Sequence, residues 1–167
     1  LTSSDDIRQS AGGSWLRTTF TNANADEMYL QSAPAGDWEI QCKIARLSGP
    51  QASMIALVAV DTSGDGCCFM FFADNNMNLG SLSSYVWGSV GDTLLNFGYL
   101  PQYGQTVWLS LARVGTTYKG RVSYDGVNWS RQTAGITYAN TIDRFGFGRV
   151  YGAIANEIMV VDWFNKI

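Results

Sequence analysis

At 167 residues, with a formal net charge of −3 and no histidine, the chain is sized for one domain, 1–167, and carries no basic stripe suited to nucleic acid. Only 15% of its residues are charged, against a usual ~25%, while 18 glycines and 13% aromatics favour strands and tight turns. The longest mostly apolar run, 54–61, falls well short of the roughly 20 residues a spanning helix needs, so membrane insertion is not expected.

The chain opens on Leu1 without a methionine or a leader-like segment, which reads as a piece of a longer protein. Its three cysteines, Cys42, Cys67 and Cys68, are odd in number. Cys67 and Cys68 would point to opposite faces of a strand, and the spacings match no zinc motif. Buried free thiols are the expectation, and nothing demands an oxidising compartment.

Taken in chain order, strand-like segments at 15–20 and 28–32 come first. In WEIQCKIAR, 38–46, Trp38, Ile40, Cys42 and Ile44 share one face, and Glu39, Gln41 and Lys43 the other. Glu39 therefore reads as a solvated charge. Strands at 53–61 and 67–73 flank DTSGDG, 61–66. Asp61, Ser63 and Asp65 match the opening of a calcium loop, but Phe72 stands where its bidentate glutamate belongs. A hairpin turn is the default there, with calcium as the alternative cofactor.

Further strands are expected at 79–87 and 93–99. In LGSLSSYVW, 79–87, Tyr85 and Trp87 share parity with Ser81 and Ser83, which sets two aromatics on a polar face. Tyr99 and Tyr103 follow on loops broken by glycine and proline, and Asp74, Asn75 and Asn76 add polar groups nearby. Exposed rings beside amide and carboxylate groups suit a sugar, which is apolar on its ring face and polar at its edge.

Residues 107–132 read as a three-stranded meander. Val107, Leu109 and Leu111 lie together, and Tyr118, Val122 and Tyr124 oppose Lys119, Arg121 and Ser123. In SYDGVNWS, 123–130, Asp125-Gly126 predicts a two-residue type I′ turn, with Trp129 starting the return strand as a core anchor. Strands at 144–150 and 157–165 close the chain. In FGFGRVYG, Phe145 and Phe147 would face the core, and Gly146 and Gly148 would leave a flat floor bordered by Arg149 and Tyr151.

About ten strands without a helical period predict two packed antiparallel sheets, a jelly-roll sandwich. Runs 53–60, 67–72 and 158–164 are apolar on both faces. Either loops cover them or another subunit does, so a homo-oligomer such as a trimer enters the expectations.

The block 107–130, with IDRFGFGRV and EIMVVDWFNKI, resembles the concanavalin A-like lectin/glucanase superfamily. Within it, the likeness is to laminin-G-like and DUF1349-type sandwiches. It rests on Arg113, Ser123, Asp125, Gly126, Trp129, Gly146 to Gly148 and Asp162 to Phe164, and it covers 107–167 far better than the first hundred residues. The resemblance implies the fold and leaves the ligand open. Glucanases of the superfamily set several carboxylates on one strand, whereas Glu27, Glu39 and Glu157 lie far apart in sequence. Without histidine, no Ser-His-Asp or Cys-His pair exists either.

The expectation is a non-catalytic carbohydrate-binding or attachment module that takes a cell-surface glycan. Its style resembles phage fibre and capsid-appendage domains, which implies an extracellular or virion-surface location. A structural oligomerisation or decoration domain is the alternative, with a glycoside hydrolase behind it. The expected sugar contacts are Tyr85, Trp87, Tyr99, Tyr103, Asp74, Asn75, Asn76, Arg149 and Tyr151.

Overall fold

In the computed structural model, the described residues are 8–9, 16–20, 27–48, 53–73, 79–86, 89–93, 106–129, 132–133, 135–152 and 157–166. They form β1 (Arg8–Gln9), β2 (Leu16–Phe20), β3 (Glu27–Ser32), β4 (Trp38–Ser48), β5 (Ser53–Val60), β6 (Gly66–Ala73) and β7 (Leu79–Val86). After these come β8 (Ser89–Thr93), β9 (Thr106–Val114), β10 (Thr117–Ser123), β11 (Ile136–Thr137), β12 (Arg144–Gly152) and β13 (Glu157–Lys166). Every pairing is antiparallel. A seven-stranded sheet runs β1-β2-β13-β4-β9-β10-β11, and a six-stranded sheet runs β3-β12-β5-β6-β7-β8. The expected two-sheet sandwich is thus the fold.

Side-chain alternation decides which face goes inward. Trp38, Ile40, Cys42 and Ile44 of β4 join Val107, Leu109 and Leu111 of β9 in one core cluster, facing Ile55, Leu57, Ala59, Phe145 and Phe147 of the other sheet. Trp38 is its aromatic pivot, with ring centroids 6.0 Å from Tyr118 and 5.2 Å from Phe145. Cys42 and Cys67 are buried free thiols, as expected, and burial pushes the Cys42 thiol far up, so it packs as a small apolar group.

From Ile55 to Val60, strand β5 is buried on both faces. Besides the core residues, Ala56, Val58 and Val60 are at most 1% exposed within this single chain. Residues 55–60 of that run are thus buried within a single chain.

The meander differs from its prediction. Strands β9 and β10 pair as expected, but among the described residues the start of the return segment meets β10 as an isolated bridge, Ser123 to Trp129, and not as a strand. The third strand is β11, paired to Thr117 and Tyr118 at the other end of β10. In between, the Thr133 amide donates to the Gly120 carbonyl and its hydroxyl accepts from the Gly120 amide, both at 2.9 Å. The strand expected at 93–99 meets the described residues only at the end of β8; the rest of it lies outside them.

Candidate ligand-binding face

On the outer side of the seven-stranded sheet, register brings three strands' polar positions into rows. Lys43 stands opposite Trp108, which stands opposite Ser123; Gln41 stands opposite Ser110, which stands opposite Arg121. The centre of this face is a tight network. Glu39 Oε1 accepts from Ser110 Oγ at 2.6 Å, from Arg121 Nη2 at 2.6 Å and from Gln41 Nε2 at 2.7 Å. Burial alone would raise the Glu39 carboxyl pKa, but these three bonds and the Arg121 charge outweigh it and hold the group below its ordinary value. Glu39 is therefore the anchor of a charged network and not the solvated charge expected.

Two half-buried tryptophans flank that network. The Lys43 ammonium lies 5.2 Å from the Trp108 ring centroid, and the Arg121 guanidinium carbon lies 5.0 Å from that of Trp129. Trp129 is thus an outer-face residue, which corrects its expected role as a core anchor: among the described residues, the isolated Ser123 bridge ties its backbone to β10.

Between them runs the loop 124–128. In place of a two-residue type I′ turn, five residues span the bridge, organised around the Asp125 carboxylate. Oδ1 accepts from the amides of Asn128 at 2.7 Å and Val127 at 2.9 Å and from Ser123 Oγ at 3.0 Å, while Oδ2 accepts from Asn128 Nδ2 at 2.7 Å. The Asn128 amide, then its side chain, then the Val127 amide hold the Asp125 carboxyl far below the usual carboxylate range. Pulled inward this way, the loop turns Tyr124, 59% exposed, and Val127, 78% exposed, toward solvent. The same hydrogen-bonded loop thus carries an exposed aromatic ring and an exposed apolar side chain.

The sites expected from sequence fall elsewhere. Trp87, Tyr99, Tyr103, Asp74, Asn75 and Asn76 lie outside the described residues, and of Tyr85 and Tyr151 only the backbone is described. Tyr85 stands opposite Gly66 in β6, and Tyr151 opposite Met54 in β5. Arg149 is corrected outright. It is 0% exposed, with Nη2 donating to Glu27 Oε1 at 3.2 Å, so it is an interior ion-pair partner and not the border of a surface. The flat floor at Gly146 and Gly148 is taken by the neighbouring strand: a Cβ there would fall 1.8 Å from the Tyr29 carbonyl oxygen and 2.2 Å from that of Glu27.

At the other end of β10, Asp61 organises a turn. Its Oδ1 accepts from the amides of Ser63 at 2.8 Å and Asp65 at 3.1 Å; its Oδ2 accepts from Tyr138 Oη at 2.7 Å and Asn140 Nδ2 at 3.2 Å. Burial and this bond to Asp61 push the Tyr138 phenol up to about 12, which keeps it a donor. Both carboxylate oxygens of Asp61 are thus filled by protein donors, and among the described residues no cluster of three or more metal-ligating side chains forms. The half-match to a calcium loop at Asp61, Ser63 and Asp65 is explained by a hydrogen-bonded turn.

No protein-family description matches the chain, and no curated protein sequence matches it. Among solved structures it resembles the carbohydrate binding module CBM66 from Bacillus subtilis, with a TM-score of 0.65 at 13% identity over 97% of this chain and 91% of that one. It resembles the exoplasmic/lumenal domain of VIP36, in a Ca2+/Man3GlcNAc-bound form, with a TM-score of 0.63 at 14% identity over 98% and 81%. It also resembles a xylan beta-1,4-xylosidase from Bacillus halodurans, with a TM-score of 0.72 at 14% identity, but spans only 32% of that chain. At these identities the likeness is one of fold.

Proposed function

We propose that the chain is a non-catalytic carbohydrate-binding module and that the outer face around Tyr124, Arg121 and Trp129 is its ligand-binding site. One observation carries this reading. A loop tied together by Asp125 exposes Tyr124, which follows Ser123 in sequence; Ser123 bridges to Trp129, and Trp129 stacks on Arg121 of the polar network. Rings and polar groups of the kinds a sugar's apolar ring face and hydroxyl edge require thus occur in one stretch of this sheet. The likeness to a carbohydrate binding module and to a glycan-bound lumenal domain supports the same choice.

The likeness to a xylosidase favours a second reading, hydrolysis. A glycosidase acid, however, needs a carboxyl whose pKa is raised. Among the described residues the carboxyls of Glu39, Asp61 and Asp125 are held below their ordinary values, which favours binding without bond cleavage at these three groups. Carried on a larger extracellular protein, or on a virion fibre, such a face would fasten its parent to a cell-surface glycan. The burial of residues 55–60 within one chain favours this over a domain built for oligomerisation.

The test is affinity electrophoresis through gels cast with xylan, mannan, levan or β-glucan. At least one polymer retards the wild-type protein, Tyr124→Ala and Trp129→Ala each weaken that retardation at least fivefold, and no reducing ends accumulate. Unretarded migration in every polymer removes the binding reading. Release of sugar from any of them restores the hydrolase.

A further inference from the structure

Ser110 lies on the outer face, because its neighbours Leu109 and Leu111 take the core, yet it is 0% exposed. Register sets it between Gln41 of β4 and Arg121 of β10. Its Oγ donates to Glu39 Oε1 at 2.6 Å, and Arg121 Nε lies 3.5 Å from the same hydroxyl oxygen. The two charged side chains it meets stay open to solvent, Glu39 at 22% and Arg121 at 30%. A ligand on this face therefore meets Glu39 and Arg121 and does not reach the buried hydroxyl.

The two contacts of that hydroxyl are unequal. An O–H···O− bond of 2.6 Å is in the short, charge-assisted range, whereas 3.5 Å is at the limit of a hydrogen bond. Ser110 thus acts on Arg121 mainly through Glu39. A hydroxyl carries one proton, and giving it to Oε1 ties the carboxylate of β4 to β9. Oε1 then accepts from Arg121 Nη2 at 2.6 Å, and the guanidinium carbon lies 5.0 Å from the Trp129 ring centroid. Gln41 Nε2 also donates to Oε1, at 2.7 Å, but from two residues along Glu39's own strand, so it adds no tie to the next one. The dependence runs from Ser110 through Glu39 and Arg121 to Trp129. Glutamate and arginine have much rotamer freedom to lose, and ordering them before a ligand arrives lowers the cost of binding.

We infer that Ser110 is the positioning residue of the proposed sugar site: its hydroxyl sets Glu39 and, through it, Arg121 and the Trp129 ring for contact with the ligand. This rests on the carbohydrate-binding reading above.

The experiment compares Ser110→Ala with Ser110→Thr, which keeps a hydroxyl, by NMR and in the polymer gels. Burial raises the Glu39 carboxyl pKa, and the bonds from Gln41, Ser110 and Arg121 lower it. Ser110→Ala should therefore move the Glu39 carboxyl titration to higher pH and weaken retardation by the retaining polymer about three- to tenfold. Ser110→Thr should bring both back toward wild type. An unshifted Glu39 titration in Ser110→Ala overturns the inference, and so does a Ser110→Thr protein as impaired as Ser110→Ala. In the unmodified protein the Ser110 hydroxyl proton should be protected from exchange with water; its rapid exchange overturns the inference even if neither variant folds. The titration needs no ligand, so the two readings separate. Wild type and Ser110→Ala retarded equally by a polymer removes the positioning role and leaves the sugar site standing. Wild type retarded by none removes the sugar site, and the positioning role falls with it.

Discussion

Gly126 lies flat against the indole of Trp108: a Cβ at position 126 would fall 2.9 Å from both Cε2 and Nε1 of that ring. Trp108 sits on the outer face because its neighbours Val107 and Leu109 take the core. The tryptophan thus serves as a pedestal for loop 124–128, and glycine is needed above it twice over, for room and for its φ of 76°. Gly126→Ala should destabilise the fold by about 1–3 kcal/mol and weaken polysaccharide retardation as the loop shifts. Urea denaturation reads the first effect; an unchanged midpoint would remove the pedestal role.

In the proposed site, Asp125 would act on a ligand through the loop it organises. Asp125→Ala removes every bond its carboxylate accepts, so retardation should fall several-fold while the core melts almost as before. Asp125→Asn keeps one acceptor oxygen and should fall between. If thermal midpoint and retardation drop in proportion, the loop is part of the cooperative core and not a preorganised appendage.

The interior pair Glu27–Arg149 makes a different prediction. With side-chain exposures of 7% and 0%, the two opposite charges face each other inside the fold. Removing one, as in Glu27→Gln or Arg149→Met, should cost about 3–5 kcal/mol in guanidinium denaturation. The double variant Glu27→Leu/Arg149→Met should recover part of that loss, because the two opposite charges are then removed together. A double variant as weak as either single one would show that the charges themselves hold β3 to β12.

Stability should depend on pH in one direction. Glu39, Asp61 and Asp125 all have carboxyl pKa values lowered in the folded state. Each therefore contributes stability that is present above its unfolded value and is lost as pH falls through the folded one. With no histidine in the chain, the melting temperature should stay level from about pH 8 to pH 5.5 and fall below roughly pH 4, where unfolded carboxyls take up protons. A midpoint transition near neutrality would contradict this.

Most of the strands were readable from periodicity alone. Strand β4 lies where WEIQCKIAR alternates, and its four apolar positions, Trp38, Ile40, Cys42 and Ile44, are all at most 4% exposed. The site was less readable. Trp108 carried a signal that parity could have found, a tryptophan out of step with Val107, Leu109 and Leu111. Trp129 carried none, because a large aromatic after a turn packs inward far more often than it stacks on an arginine. Glu39 looked solvated because a strand's polar face says nothing of what the next two strands set beside it.

Arg149 marks the boundary between the two kinds of knowledge. Alternating apolar positions, glycine-rich turns and the absence of any helical period determine two antiparallel layers, since a period of two is a local property of the chain. Which polar groups meet across strands is not local. Glu39 reaches Ser110 and Arg121, Glu27 reaches Arg149, and Asp61 reaches Tyr138 over separations of 71 to 122 residues. Register between distant strands decides those meetings, and register is fixed only when both faces of both sheets are packed.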